Sequence, residues 1–230
     1  MSKQRFLTLF DGRDETRKKW RKTGPNEFVL SGNEIITQGG DDFAVLYYAA
    51  ATFSDFLLSL EFRLSDPAKD NSGVFVRFRN PELPPTPEIW ARDEFGNISR
   101  NRAWTAAYSG FEIQIDERAK GSNQKKERDG LKKNRTGAIY KIPTGEEGEP
   151  KLQEYSSAPA LRAGDWNEYA IEVKDHTYTV RLNGHRTTTF VNYDPERGLP
   201  ASADSASGYI GLQSYRNSRV GFRDIRVCPL

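Results

Sequence analysis

Well-separated runs of this chain alternate apolar and polar residues with a period of two. In GFEIQIDER, Phe111, Ile113 and Ile115 alternate with Glu112, Gln114 and Asp116. FLLSLEFRL sets Phe56, Leu58, Leu60 and Phe62 against Leu57, Ser59, Glu61 and Arg63. NSGVFVRFRN sets Val74, Val76 and Phe78 against Phe75, Arg77 and Arg79, and GYIGLQSY sets Ile210 and Leu212 against Gly211, Gln213 and Tyr215. A period of two suits a strand that buries one face, and it is incompatible with a helix. Strand signals recur near residues 6–10, 27–30, 34–37, 44–48, 56–63, 73–79, 111–116, 137–142, 167–174, 177–183, 186–191, 208–214 and 219–227. Each is short, rich in β-branched and aromatic residues, and bounded by Gly, Asn, Asp or Pro. Asn183-Gly184 between two alternating runs predicts a hairpin closed by a type I′ turn. No segment holds a helical period with caps. Many short strands without intervening helices predict an all-β fold, an antiparallel sandwich or jelly roll.

The 230 residues suffice for one sizeable core and show no internal repeat, so residues 1–230 are read as a single domain. A net charge of +2 supplies no field to draw the chain to nucleic acid or to a membrane. No run of 18 apolar residues argues for a membrane helix. The opening MSKQRFLTLFDG lacks the apolar core of a signal peptide, which predicts a cytoplasmic protein, or a periplasmic or secreted one whose leader has been removed. Cys228 is the one cysteine, so no disulfide forms within the chain. The expected state is a monomer or weak oligomer.

The outer rows of the alternating strands carry Glu61, Arg63, Arg77, Glu112, Gln114, Asp116 and Gln213. If those strands are neighbours, the rows form one polar surface. The long insertion 80–109 would wall it with Trp90, Phe95, Trp104 and Tyr108; loops of this length are usually functional or mobile. Carboxylates, guanidinium groups and amides beside aromatic platforms suit a carbohydrate or glycoside ligand. The competing reading is a solvated face of cross-strand ion pairs, each contributing about 0.2–1 kcal/mol. Gln114 and Gln213 do not serve such a lattice, which favours a site. Glu112 and Asp116 are roughly 13 Å apart by strand rise. That is too far for the carboxylate pair of a retaining glycosidase, about 5–5.5 Å apart. A cross-strand pair such as Glu61 with Glu112 or Asp116 fits better.

Other constellations carry less. The basic runs RKKWRK at 17–22 and KKERDGLKKNR within the second insertion, 117–135, read as solvated loops. His176 and His185 fall at turns, and two histidines with one cysteine do not make a zinc site. A divalent metal such as Ca2+ would draw on Asp11, Asp41 or Asp42, whose spacing matches no known binding loop. There is no phosphate-cradling loop and no GxSxG elbow. Asn97-Ile98-Ser99 matches a glycosylation acceptor, a triplet that is frequent by chance.

The segments FDGRDE with Trp20 downstream, DFLLSLEFR, NSGVFVRFR, GFEIQIDE, RTGAIY, GDWNEYAIEV, RLNG, GYIGLQSY and VGFRDIRV follow one another across nearly the whole chain. In that order they resemble the 3-keto-disaccharide hydrolase domain family. The resemblance implies a concanavalin A-like jelly roll of two antiparallel sheets, acting on glycosides oxidised at C3 of the sugar. It places motif positions on Glu61, Arg63, Arg77, Glu112, Gln114, Asp116, Tyr140 and Gln213. Relatives often carry a histidine where Tyr215 stands here. The implied chemistry is removal of an acidified C2 proton, stabilisation of the enolate, loss of the aglycone from C1 and addition of water. Glu112 or Asp116 would be the base, Arg63 or Arg77, or a metal, the electrophile, and Tyr140 a proton donor. The alternatives are a non-catalytic, lectin-like carbohydrate-binding domain and, more weakly, a structural interaction module.

Overall fold

The computed structural model describes residues 5–83, 100–119, 130–157, 161–162, 164–192 and 207–230. Within them the strands are β1 (Leu7–Phe10), β2 (Trp20–Thr23), β3 (Glu27–Ser31), β4 (Glu34–Gln38), β5 (Phe43–Tyr48), β6 (Phe56–Leu64) and β7 (Asn71–Phe78). They continue as β8 (Phe111–Asp116), β9 (Gln153–Tyr155), β10 (Asn167–Lys174), β11 (Thr177–Leu182), β12 (His185–Val191), β13 (Tyr209–Tyr215) and β14 (Val220–Pro229). Two short helices interrupt them, α1 (Asp14–Arg17) and α2 (Trp104–Ser109). No helix among the described residues is long and apolar enough to cross a membrane.

The strands form two antiparallel sheets, as the alternation predicts. A nine-stranded sheet runs β3-β4-β14-β6-β10-β11-β12-β9, with β1 also paired to β14; a five-stranded sheet runs β2-β5-β13-β7-β8. The apolar rows meet between them. Phe56, Leu58, Leu60 and Phe62 of β6 face Val74 and Val76 of β7, Ile113 and Ile115 of β8 and Leu212 of β13 in one cluster, all fully buried. Each such side chain contributes about 1.5–3 kcal/mol on burial. Side-chain hydrogen bonds also cross the sandwich. Trp20 Nε1 donates to the Leu9 carbonyl at 2.9 Å, and the Tyr169 hydroxyl donates to the Gln114 carbonyl at 2.6 Å.

The Asn183-Gly184 turn joins β11 to β12 with φ of 50° and 78°, the left-handed pair that type I′ requires. Elsewhere the reading from sequence needs correction. Residues 137–142 are not a strand: Gly137 (φ 86°) and Lys141 (φ 63°) break the extended backbone, leaving an isolated bridge from Ile139 to Ile113. The run at 17–22 is not all loop, because Trp20 is buried and opens β2. Part of the 80–109 insertion is helical: α2 lies on the outer side of the five-stranded sheet. There Ala103, Ala106 and Trp104 pack with Phe43, Val45, Tyr47, Phe75 and Phe78 in a second apolar cluster. Consequently β5, β7 and β8 are buried on both faces.

Candidate functional site

Three strands set the site. Pairing of β7 with β8 places Asn71 opposite Asp116, Gly73 opposite Gln114 and Phe75 opposite Glu112. Pairing of β7 with β13 places Gly211 opposite Phe75, and the same register carried two residues on sets Gln213 opposite Gly73. Because side chains alternate across a strand, Asn71, Gly73, Glu112, Gln114, Asp116, Gln213 and Tyr215 all project from the outer face of the five-stranded sheet. That face is covered as well. Glu112 is 8%, Gln114 2%, Asp116 0% and Gln213 6% exposed, so these are enclosed groups rather than a solvated fringe.

Their surroundings differ. Asp116 accepts hydrogen bonds from Asn71 Nδ2 (3.2 Å), the Arg118 backbone N–H (2.9 Å) and Arg118 Nε (3.3 Å). Its oxygens are occupied by donors of the protein. Glu112 lies over Gly73. A methyl group added at Gly73 would stand 2.6 Å from Glu112 Cγ and 2.9 Å from Cδ, closer still to Oε1. On either side of that glycine, the buried Oε1 atoms of Gln114 and Gln213 accept no hydrogen bond from the described residues. A buried amide oxygen without a donor costs about 1–3 kcal/mol, so each of the two, on the strands that flank β7, calls for a donor.

Tyr140 stands beyond β8. Its backbone N–H donates to the Glu112 carbonyl at 2.9 Å, and the Ile113–Ile139 bridge puts Tyr140 in line with Glu112. Tyr215 holds its ring on the same face as Gln213, and Arg216 Nε donates to its hydroxyl at 3.1 Å. Trp104 packs on Phe43 with ring centroids 4.9 Å apart, and Phe43 pairs with Tyr215. It therefore walls the Tyr215 end of the face.

Three residues expected on this face are elsewhere. Glu61 and Arg63 lie on the outer side of the other sheet. There Arg223 Nε donates to Glu61 at 2.5 Å, Arg63 pairs with Glu34 at 3.0 Å, and both guanidinium groups stack on Trp166, at 4.0 and 4.6 Å. This is the ion-pair lattice that was the competing reading, realised on the opposite surface. The cross-strand pairing of Glu61 with Glu112 or Asp116 is thereby overturned. Arg77 belongs to the correct strand but leaves its face. Between Phe75 and Phe78, β7 holds one residue more than β13 does between Gly211 and Tyr209, and Arg77 takes up the excess with φ 53°. This bulge aims the guanidinium at the Ser54 carbonyl (2.9 and 2.7 Å), the Asp175 carbonyl (2.5 Å) and the Asp55 carboxylate (2.9 Å). The bulge also brings Phe78 onto the outer face.

Asn71, Gly73 and Arg118 were not singled out from sequence. The signal for the first two was present: the row that holds Phe75 continues back through Gly73 to Asn71. Trp90, Phe95 and Asn97 lie outside the described residues. His176 is exposed in the turn that follows β10, and His185 is exposed as the first residue of β12. Asp11 is engaged by Thr16 and Arg13, and Asp42 accepts from Asn101. No group of three His, Cys, Asp or Glu side chains converges among the described residues, so the carboxylates present do not of themselves form a metal cradle.

The model of the 3-keto-alpha-glucoside-1,2-lyase-like domain family matches residues 5–228. The chain belongs to that family. Membership gives this lyase-like domain a carbohydrate-related role. No curated protein matches it in sequence. Among solved structures, it resembles a provisionally assigned glycosyl hydrolase from Parabacteroides distasonis, with a TM-score of 0.68 at 16% identity, over 98% of this chain and 94% of that one. A protein of unknown function with a galectin-like fold from Bacillus subtilis superposes with a TM-score of 0.57 at 12% identity, over 96% and 94% of the two chains. The exoplasmic domain of VIP36, bound to Ca2+ and Man3GlcNAc, gives 0.57 at 11% identity, over 97% and 88%. At such identities the likeness establishes the fold, a galectin-like jelly roll.

Proposed function

We propose that this lyase-like domain cleaves 3-keto-glycosides on the outer face of its five-stranded sheet, with Glu112 as the base. The observation that carries the reading is the enclosed group of Glu112, Gln114 and Gln213, whose amide oxygens lack donors. Sugar hydroxyls supply such donors, and family membership supports the sugar class.

A ketone at C3 acidifies the proton on C2. Glu112 takes that proton, and the electron pair passes into the C3 oxygen as an enolate. The enolate needs a donor. Arg63 and Arg77 are committed elsewhere, which leaves the glutamine amides and the half-buried Arg118 beside Asp116. Collapse of the enolate expels the aglycone from C1 as an alcohol, with Tyr140, in line with Glu112, as the proton donor. Water then adds across the C1=C2 bond: its oxygen joins C1, protonated Glu112 returns a proton to C2, and the remaining proton restores Tyr140. The net reaction is hydrolysis. Asp116, with its oxygens occupied, is a positioning residue that holds Asn71 and Arg118.

Incubation with C3-oxidised and native glucosides, with and without chelator, tests the reading. The expected product is free 3-keto-glucose from the oxidised substrates alone. Binding without release would instead favour a carbohydrate-binding domain, a reading encouraged by the departure of both arginines from the face. Absence of both would end the sugar assignment.

A further inference from the structure

We propose a second ligand site, on the outer side of the nine-stranded sheet and across the sandwich from Glu112, that takes a sugar-sized hydroxy carboxylate, a hexuronate. It does not rest on the cleavage proposed above. The ion-pair lattice on that side has a gap. Pairing sets Gly221 of β14 between Ile36 of β4 and Arg63 of β6. The next pair, Val220 and Leu64, turns into the core. Arg219 and Ser65 therefore return to the outer side, where the Ser65 N–H donates to the Arg219 carbonyl at 3.3 Å. Over the glycine lies a hollow of about 540 Å3, bordered by Glu34, Arg63, Ser65, Gly164 and Arg219. A methyl group added at Gly221 would stand 3.4 Å from Trp166 Cη2 and 3.7 Å from Glu34 Oε2, which are ordinary contact distances, so no described side chain occupies the space above it.

Donors outnumber acceptors around the hollow. Arg219 is exposed, and its guanidinium has no partner among the described residues. Arg63 gives Nη2 to both oxygens of Glu34, at 3.0 and 3.3 Å, and its remaining N–H groups meet no described acceptor. Stacking on Trp166, 4.6 Å from the ring centroid, holds that guanidinium in place. Two guanidinium groups against the one carboxylate of Glu34 leave a surplus of one positive charge, which an anion balances. A planar carboxylate matches the N–H fork of Arg219. Glu34 only accepts, so the rest of the ligand must donate, as ring hydroxyls do. A hollow of this size suits a compact small molecule. Both demands meet in one ring that bears a carboxylate and hydroxyls.

Calorimetric titration of the full chain with methyl glucuronide tests the site. Methyl glucopyranoside and inorganic phosphate serve as probes that each lack one half of the ligand. The glucuronide should bind roughly tenfold more tightly than either, and more weakly as salt rises. Arg219→Gln should weaken glucuronide binding by roughly tenfold or more with thermal unfolding unchanged, because that side chain is exposed. Gly221→Val should abolish binding by filling the hollow; Gly221 does not have a positive φ, so valine suits the backbone. Glu112→Gln should bind the glucuronide as the wild type does. The proposal is overturned if Arg219→Gln keeps wild-type affinity, or if Glu112→Gln loses the glucuronide. Phosphate bound as tightly as the glucuronide would reduce the hollow to a simple anion site, and glucoside bound as tightly would leave Arg219 without a role; either result sinks the assignment. Should Gly221→Val fail to fold, Arg219→Gln decides alone. Release of 3-keto-glucose reports on the opposite face only, so the cleavage reading stands or falls separately.

Discussion

Two carboxylates four residues apart on β8 meet different neighbours. Asp116 receives Asn71 and Arg118, while Glu112 lies over a glycine. Replacing Glu112 by Gln keeps its shape and removes the base, so kcat should fall about 10²- to 10⁴-fold with unfolding unchanged. Replacing Asp116 by Asn turns an acceptor toward donors, and urea unfolding should reveal a loss of about 1–3 kcal/mol. The arginines divide similarly. Arg77, with its side chain 9% exposed, binds two carbonyls and Asp55, so Arg77→Ala should cost about 1–3 kcal/mol by leaving those acceptors unmet. Arg63 is 38% exposed and its pair with Glu34 is worth less, about 0–1 kcal/mol, so Arg63→Ala should leave both turnover and stability close to wild type. Full turnover with Glu112→Gln, or a large loss with Arg63→Ala, would reverse these roles.

At the level of the element, the alternating runs reported faithfully which face of a strand is buried. Phe56 to Leu64 buries every second residue along its length, and Phe111, Ile113 and Ile115 all enter the core. Alternation has no term for which sheet a strand joins, and this is why Glu61 and Arg63 were grouped with Glu112. Nor does it register a bulge, which switches parity within a strand: Arg77 and Phe78 exchange places by one backbone angle. The helix α2 escaped because six residues are too few to show a period. Turn chemistry was the most legible signal of all. Gly184 holds φ 78° between β11 and β12, where a β-branched residue is strained, so Gly184→Val should lower the thermal midpoint by an amount equivalent to about 1–2 kcal/mol, and Gly184→Asn by much less.

Across the whole molecule, buried phenols link its stability to pH. Burial pushes Tyr155 up to about 12 and holds Tyr169 well above the usual value, while burial and the neighbouring Glu82 carboxylate raise Tyr47. Each phenol is harder to ionise folded than unfolded. Their contribution is complete below about pH 10, where unfolded tyrosine begins to ionise, and is lost as pH rises through the folded values, about 12 for Tyr155 and higher for the other two. Chemical denaturation between pH 8 and 11 should show this fall, and Tyr169→Phe should lessen it while costing about 0.5–1.5 kcal/mol at neutral pH for the lost bond to Gln114. A flat profile to pH 11 would contradict it. The strand that carries Glu112 is also the last of its sheet. Its outer amides and carbonyls are met by the irregular run around Gly137, Ala138 and Tyr140 rather than by another strand. A glycine at φ 86° pressed against Thr187 keeps that run in place. Should it peel away, the naked border of β8 would invite a second molecule to add its own strand, so self-association and loss of the sugar site would arise from one and the same local opening.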